Sequence, residues 1–250
     1  MAVLSLTPQI QGSSSLVRLR RGGVKSRRGH MRAAPQCVHH GQHESASKPF
    51  TLALTGSIGM GKSTVASMIK RRGVPVLGVC VVHRLYAPGG AAVQPIQAHF
   101  SSAVKDGAVD RQELSKVLMA DKGALTELEE IVHPLVAEDR RHFLADQAAA
   151  GTPLVCLDIP LLFEKGLQHG MDAILVVSAS PEQQKQRVLA RPGMTLEKFQ
   201  AILSRQVPDT QKREQATHVI NTSTTLEETE QQVSRTLQEL LEMHKARVAS

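Results

Sequence analysis

The residues richest in chemistry are Gly56, Ser57, Ile58, Gly59, Met60, Gly61, Lys62 and Ser63, which satisfy G-x-x-x-x-G-K-[ST] in full, with Thr64 directly after them. In that pattern successive backbone N–H groups point inward and form an anion nest. The N-terminus of the following helix adds partial positive charge, and glycine permits the close backbone approach. Lys62 is predicted to reach the β- and γ-phosphates of a nucleoside triphosphate, and the Ser63 hydroxyl to ligate Mg²⁺. A second element is Asp158, at the end of the apolar run Leu154–Leu157. An acid there can hold Mg²⁺ directly or through water; the alternative is a surface aspartate at a strand end. A third is the set Arg187, Arg191 and Arg205, on predicted helices flanking Pro192-Gly193. On a closing lid, guanidinium groups neutralise a transferring phosphoryl group; the alternative is three solvated arginines.

The elements that must position these groups can be read from periodicity. Phe50 to Leu54 is an apolar run ending at the glycine-rich turn, and Val65, Met68 and Ile69 then fall on one helical face, closed by Gly73. Further strands are predicted at Val74 to Leu77, Leu154 to Leu157, Ala173 to Val177, and Val219-Ile220. Ser180-Pro181-Glu182-Gln183 reads as an N-cap, a proline at N1 and a capping-box glutamine. A last helix opens at Thr225 with Glu228 and carries Val233, Leu237, Leu240 and Leu241 inward. The segment 90–149 is predicted to be mostly helical, with Leu125, Leu128, Val132 and Leu135 as a stripe that Pro134 interrupts, as a kink or a boundary between two helices. Strands alternating with helices predict an α/β fold with a five-stranded parallel sheet covered by helices in three layers.

Composition narrows the function classes. The net charge of +7 resides in residues 1–43, which hold seven basic residues and no acid, so the remainder is neutral. With five Phe, one Tyr and no Trp besides, a nucleic-acid surface is not expected. No run of about 18 apolar residues offers a membrane span. Three widely spaced cysteines, Cys37, Cys80 and Cys156, without C-x-x-C, speak for a reducing compartment and against structural zinc. The Ser-, Arg- and Gly-rich stretch 1–46 is read as a disordered basic extension and as a transit peptide for plastid or mitochondrion, a cytoplasmic protein with an addressless tail being the alternative. The domain is placed at 47–250, and nothing in the pattern sets an oligomeric state.

A guanine-reading N-K-x-D is absent, and about 75 residues of helical pattern separate the second main strand from the third. That spacing suits an acceptor-binding insert in a small-molecule kinase. At this point the chain resembles the dephospho-CoA kinase family over about 50–242. The resemblance runs from Leu54-Thr55-Gly56 to Ser63-Thr64, through Val82-His83-Arg84, Pro88-Gly89, Asp106-Gly107, Asp110-Arg111 and Leu114, to His133-Pro134-Leu135-Val136. Its narrowest motif is Leu157-Asp158-Ile159-Pro160-Leu161-Leu162-Phe163-Glu164, followed by Gln186-Arg187, Arg191 and Ile220-Asn221.

The resemblance implies a P-loop kinase fold with a helical acceptor-binding insert at about 83–149 and a small lid at about 187–213. It implies ATP-dependent phosphorylation of the ribose 3′-hydroxyl of dephospho-CoA, the last step of coenzyme A synthesis, with ATP and Mg²⁺ as cofactors. Lys62, Asp158, Arg187 and Arg191 would be catalytic, and Asn221 would lie near the adenine. His83, Arg111 and His133 would bind the acceptor, although His133 before a proline equally fits a helix cap. The chain departs from the family where its second strand ordinarily ends in D-A-D, for here Gly78-Val79-Cys80 stands instead. A missing general base typically costs about 10²–10⁴ in rate, so reduced activity is expected. The rival readings are a catalytically impaired nucleotide-binding pseudokinase acting through a partner, and a kinase for a different small hydroxyl acceptor.

Overall fold

The computed structural model describes residues 48–78, 80–121 and 123–249; the expected extension 1–46 and its role as a transit peptide lie outside the described residues. The central sheet has five parallel strands: β1 Phe50–Thr55, β2 Val76–Leu77, β5 Leu154–Asp158, β6 Ala173–Ser178 and β7 His218–Asn221, ordered β2-β5-β1-β6-β7. β1, every residue of which is buried, lies between β5 and β6. That position explains its unbroken apolar run, since a strand covered on both faces has no side to leave polar. The register pairs Phe50 with Leu154 and Leu54 with Asp158, so the segments leaving β1 and β5 emerge side by side at the carboxyl edge. In open parallel sheets this edge is where ligands bind.

Helices α1 (Lys62–Arg71) and α9 (Leu226–Ala249) pack against each other and against the sheet. Val65 and Ile69 of α1 join Leu52, Leu54, Leu154, Leu175 and Ile220 of the strands and Val233, Leu237 and Leu240 of α9 in one core. The predicted capping box of α9 is complete: the Glu228 amide donates to Thr225 Oγ1 (3.1 Å) and the Thr225 amide to Glu228 Oε2 (3.0 Å). On α6 (Pro181–Leu189) the Ser180 hydroxyl accepts from the Gln183 amide at 3.3 Å, but the Gln183 side chain does not return the bond. It donates instead to the Ser223 carbonyl at 3.2 Å, since the Ser180 amide has already found the Ser223 hydroxyl at 2.7 Å.

A second core belongs to α2 (Cys80–Tyr86), α3 (Val93–His99), α4 (Arg111–Ala120) and α5 (Ala124–Ala149), built from Tyr86, Ile96, Leu114, Leu128 and Val132. The two-residue strand β2 stands where the cores adjoin: Val76 packs on the first and Leu77 on the second. The second unit also holds a short hairpin, β3 Val104–Lys105 and β4 Ala108–Val109, absent from the periodicity reading. Its turn is Asp106-Gly107, with φ of +50° and +73°, a pair that favours the hairpin turn needing two positive φ values. The segment expected to form a lid holds the end of α6 and α7 (Leu196–Leu203); α8 (Asp209–Glu214), at its far end, packs on β6.

Of the two alternatives at Pro134, the boundary between two helices is excluded: α5 runs through it from Ala124 to Ala149. Pro134 lies on the exposed side, and so does Glu130, whose carbonyl loses its helical donor and can turn to water. The proline is nevertheless a cost in an uninterrupted helix, about 3 kcal/mol relative to alanine in an exposed interior position. Pro134→Ala is therefore expected to raise the unfolding free energy by about 1–3 kcal/mol, read as a higher urea midpoint followed by circular dichroism. An unchanged or lower midpoint would contradict this account.

Candidate active site

The phosphate loop joins β1 to α1, and its backbone is shaped by what it rests on. Gly59, at φ +80°, lies so close to α6 that a Cβ would stand 2.5 Å from Val188 Cγ2 and 3.0 Å from the Gln184 carbonyl oxygen. Gly61 caps α1 in the left-handed region at φ +90°, with a Cβ position 3.1 Å from Thr222 Oγ1. Only glycine satisfies both demands at these positions. Lys62 opens α1, whose first turn contains no acid to compete with an anion. Ser63 and Thr64 follow on that turn and are exposed.

Across the mouth, Lys62 Nζ donates to Asp158 Oδ1 in a close ion pair. Both side chains are nearly withdrawn from water, with 13% and 10% of their surface exposed. Charges so desolvated must be compensated, and here each compensates the other. Gly78, at the end of β2, faces the same carboxylate: its Cβ position lies 3.2 Å from Asp158 Cβ and 3.4 Å from Asp158 Oδ2. The chemistry predicted for Lys62 and Asp158 from separate motifs thus converges on one point.

Arg187 is fixed beside the loop. Its Nη1 donates to Thr222 Oγ1 (2.9 Å) and its Nη2 to the Thr222 carbonyl (2.6 Å) and to Gln183 Oε1 (3.2 Å). The Thr222 hydroxyl in turn donates to the Met60 carbonyl at 2.8 Å. Asn221 is exposed at the end of β7, and its Oδ1 accepts from the Ser223 amide at 2.9 Å, closing a local turn. Arg191 and Arg205 are exposed, with no side-chain bond to another of the described residues.

In the helical unit, His83 on α2 and His133 on α5 are both exposed. His133 sits inside α5 and caps neither end, which removes the capping alternative. Arg111 opens α4 behind its cap Asp110, whose Oδ1 accepts from the Gln112 amide at 2.9 Å. The Arg111 guanidinium lies 5.7 Å from the centroid of the Tyr86 ring. Burial pushes the Tyr86 hydroxyl up to about 12, against the opposing pull of Arg111, and burial lowers Arg111 from its usual value. Tyr86 is thus a neutral wall for a cation on this face.

Thr222, Gln184 and Gln206 touch the phosphate loop and were not singled out by sequence. Isolated glutamines and a threonine carry no motif, and only the neighbour Asn221 pointed near them. No cluster of three acidic, cysteine or histidine side chains able to hold a metal occurs among the described residues. The hard oxygen donors on offer are the Ser63 hydroxyl and the Asp158 carboxylate, which suit a cation that arrives with phosphate oxygens of its own. No helix of the described residues is long and apolar enough to cross a membrane.

Residues 50–228 match the family model for dephospho-CoA kinase. The chain belongs to the dephospho-CoA kinase family. It is 54% identical over 176 residues to the dephospho-CoA kinase of Cereibacter sphaeroides, covering 70% of this chain and 88% of that protein. It is 50% identical to that of Novosphingobium aromaticivorans over 78% of this chain and 97% of the relative. Among solved structures, TT1252 from Thermus thermophilus superposes with a TM-score of 0.65 at 35% identity, over 78% of this chain and 99% of that one. The Campylobacter jejuni dephospho-CoA kinase, at 19% identity and a TM-score of 0.56, covers 78% of this chain and 98% of its own, and shares the fold. The three-layer P-loop kinase architecture is thus common to chains of this family. Relatives half identical along nearly their whole length favour an enzyme over a binding module that has lost chemistry.

The seating of the loop generates a test. Gly59→Ala must move Val188 or the loop itself and must hold a non-glycine residue at φ +80°. Its expected consequence is at least a tenfold loss of nucleotide affinity, on the order of 1.4 kcal/mol or more, by calorimetry on folded protein.

Proposed function

We propose that this chain transfers the γ-phosphoryl group of ATP to the ribose 3′-hydroxyl of dephospho-CoA, yielding coenzyme A and ADP. The observation that carries the reading is the near-complete match to dephospho-CoA kinases at about half identity, resting on a phosphate loop whose lysine and facing aspartate meet. The amides around Gly59, Met60 and Gly61 bind the phosphate chain, and Lys62 turns from Asp158 to the β- and γ-phosphates. Ser63 and Asp158 would hold Mg²⁺, which when bound would neutralise charge on the phosphate oxygens. Arg187, kept beside Asn221 by Thr222, walls the nucleotide on the side of its base. Arg191, one helical turn further and exposed, reaches the transferring group when the lid closes. The acceptor is held on the helical unit by His83, Arg111 and His133, of which Arg111 is stacked for an anionic group.

In the transfer, the 3′-oxygen bonds to the γ-phosphorus, the bond to the β,γ-bridging oxygen breaks to leave ADP, and the hydroxyl proton passes to solvent water. Position 78 supplies no carboxylate for that proton. Positioning and electrostatics carry most of phosphoryl transfer, so turnover persists at a reduced rate. We further propose that residues 1–46 address the protein to plastid or mitochondrion, the cytoplasm being the alternative. A fusion of 1–46 to a fluorescent protein is expected to enter one of these organelles, and diffuse cytoplasmic signal would refute it.

A coupled ADP-release assay tests the activity: release is expected to depend on added dephospho-CoA. A kinase for another hydroxyl acceptor would release ADP with that alcohol and bind dephospho-CoA weakly, and a bare binding module would bind nucleotide alone. Gly78→Asp with Cys80→Asp is expected to raise turnover about a hundredfold, because a Cβ at 78 already lies against the Asp158 carboxylate. No gain from the double change would reject the missing-base explanation.

A further inference from the structure

Resting on the kinase reading above, the geometry points to Gln184 and Gln206 as positioning residues that tie the phosphate loop to both roots of the lid through a single residue, Ile58. The Ile58 amide donates to Gln206 Oε1 at 3.1 Å, and Gln184 Nε2 donates to the Ile58 carbonyl at 2.7 Å. Gln184 lies on α6, where the lid begins, and is buried; Gln206 lies between α7 and α8, where the lid returns to the sheet. Ile58 is thus held on its donor by one end of the lid and on its acceptor by the other.

Each glutamine is itself held. Gln184 belongs to the stretch of α6 on which Gly59 rests, so that helix is the floor of the loop as well as a lid root. Beside Gln206, the Val207 amide donates to Glu164 Oε1 at 2.9 Å, and the same oxygen lies 2.8 Å from Nζ of the fully buried Lys212 on α8. Glu164 closes the D-I-P-L-L-F-E run that begins at Asp158, so one loop leaving β5 supplies the partner of Lys62 and the anchor of Gln206. Rotating either peptide that flanks Ile58 reorients the amides that follow it. A lid displaced from its roots would therefore disturb the cradle before reaching any substrate.

Gln206→Met and Gln184→Met keep side-chain length while removing the acceptor and the donor respectively. Calorimetry with inorganic tripolyphosphate reads the cradle alone, because that anion has no base or ribose. Each single variant is expected to weaken tripolyphosphate binding about tenfold. Each is also expected to raise KM for ATP by a similar factor, with KM for dephospho-CoA unchanged within about twofold. Both glutamines hold one residue, through the two peptides that flank it, so the double variant should lose little more than the weaker single variant. Urea midpoints establish that the singles remain folded; should one not fold, the other carries the test. Wild-type-like tripolyphosphate affinity in a folded variant, or fully additive losses, would overturn the assignment. Because this binding measurement needs no acceptor, it stands even if dephospho-CoA proved not to be the substrate.

Discussion

Two neighbouring strands end level with one another, and each delivers a charge into a space from which water is largely excluded. β1 leads through the phosphate loop to Lys62 and β5 ends at Asp158; the register that pairs Leu54 with Asp158 makes their meeting unavoidable. An ammonium or a carboxylate alone at that depth would be costly, so the pair is a condition of the site's existence. It is also replaceable, because a phosphate chain and a divalent cation offer each partner a substitute of the right sign. The sheet order, the buried run of β1 and the glycines around Met60 are all arrangements that keep these two groups in reach of each other.

Most of this was legible before any coordinates. The phosphate loop is specified by backbone geometry that only glycine meets, and a run of Leu, Val, Cys and Leu buried on both faces declares its strand. What escaped was of another kind. The hairpin at Asp106-Gly107 is two residues long on each side, too short for alternation to register. Pro134 is no helix boundary, because its exposed position and the packing of the helix on either side outweigh the local rule against proline in helix interiors. Gln184, Gln206 and Thr222 were invisible because their partners are backbone atoms more than a hundred residues away, and no spacing encodes such a bond.

Arg187 shows how a residue type can be recognised while its neighbours carry no signal. Its guanidinium donates to Thr222 and Gln183, a bidentate use that suits a planar group and holds it where β7 gives way to α9. Arg191, four residues on, is exposed.

The strand β2 contributes only Val76 and Leu77, whose side chains pack into different cores. A pleated pair this short is the stitch between the sheet core and the helical core, which otherwise keep separate interiors. Such construction lets the helical unit be remodelled without repacking the sheet beneath the phosphate loop. It also brings the helical core, through Leu77, to within one residue of Gly78 and so to the edge of the Asp158 carboxylate.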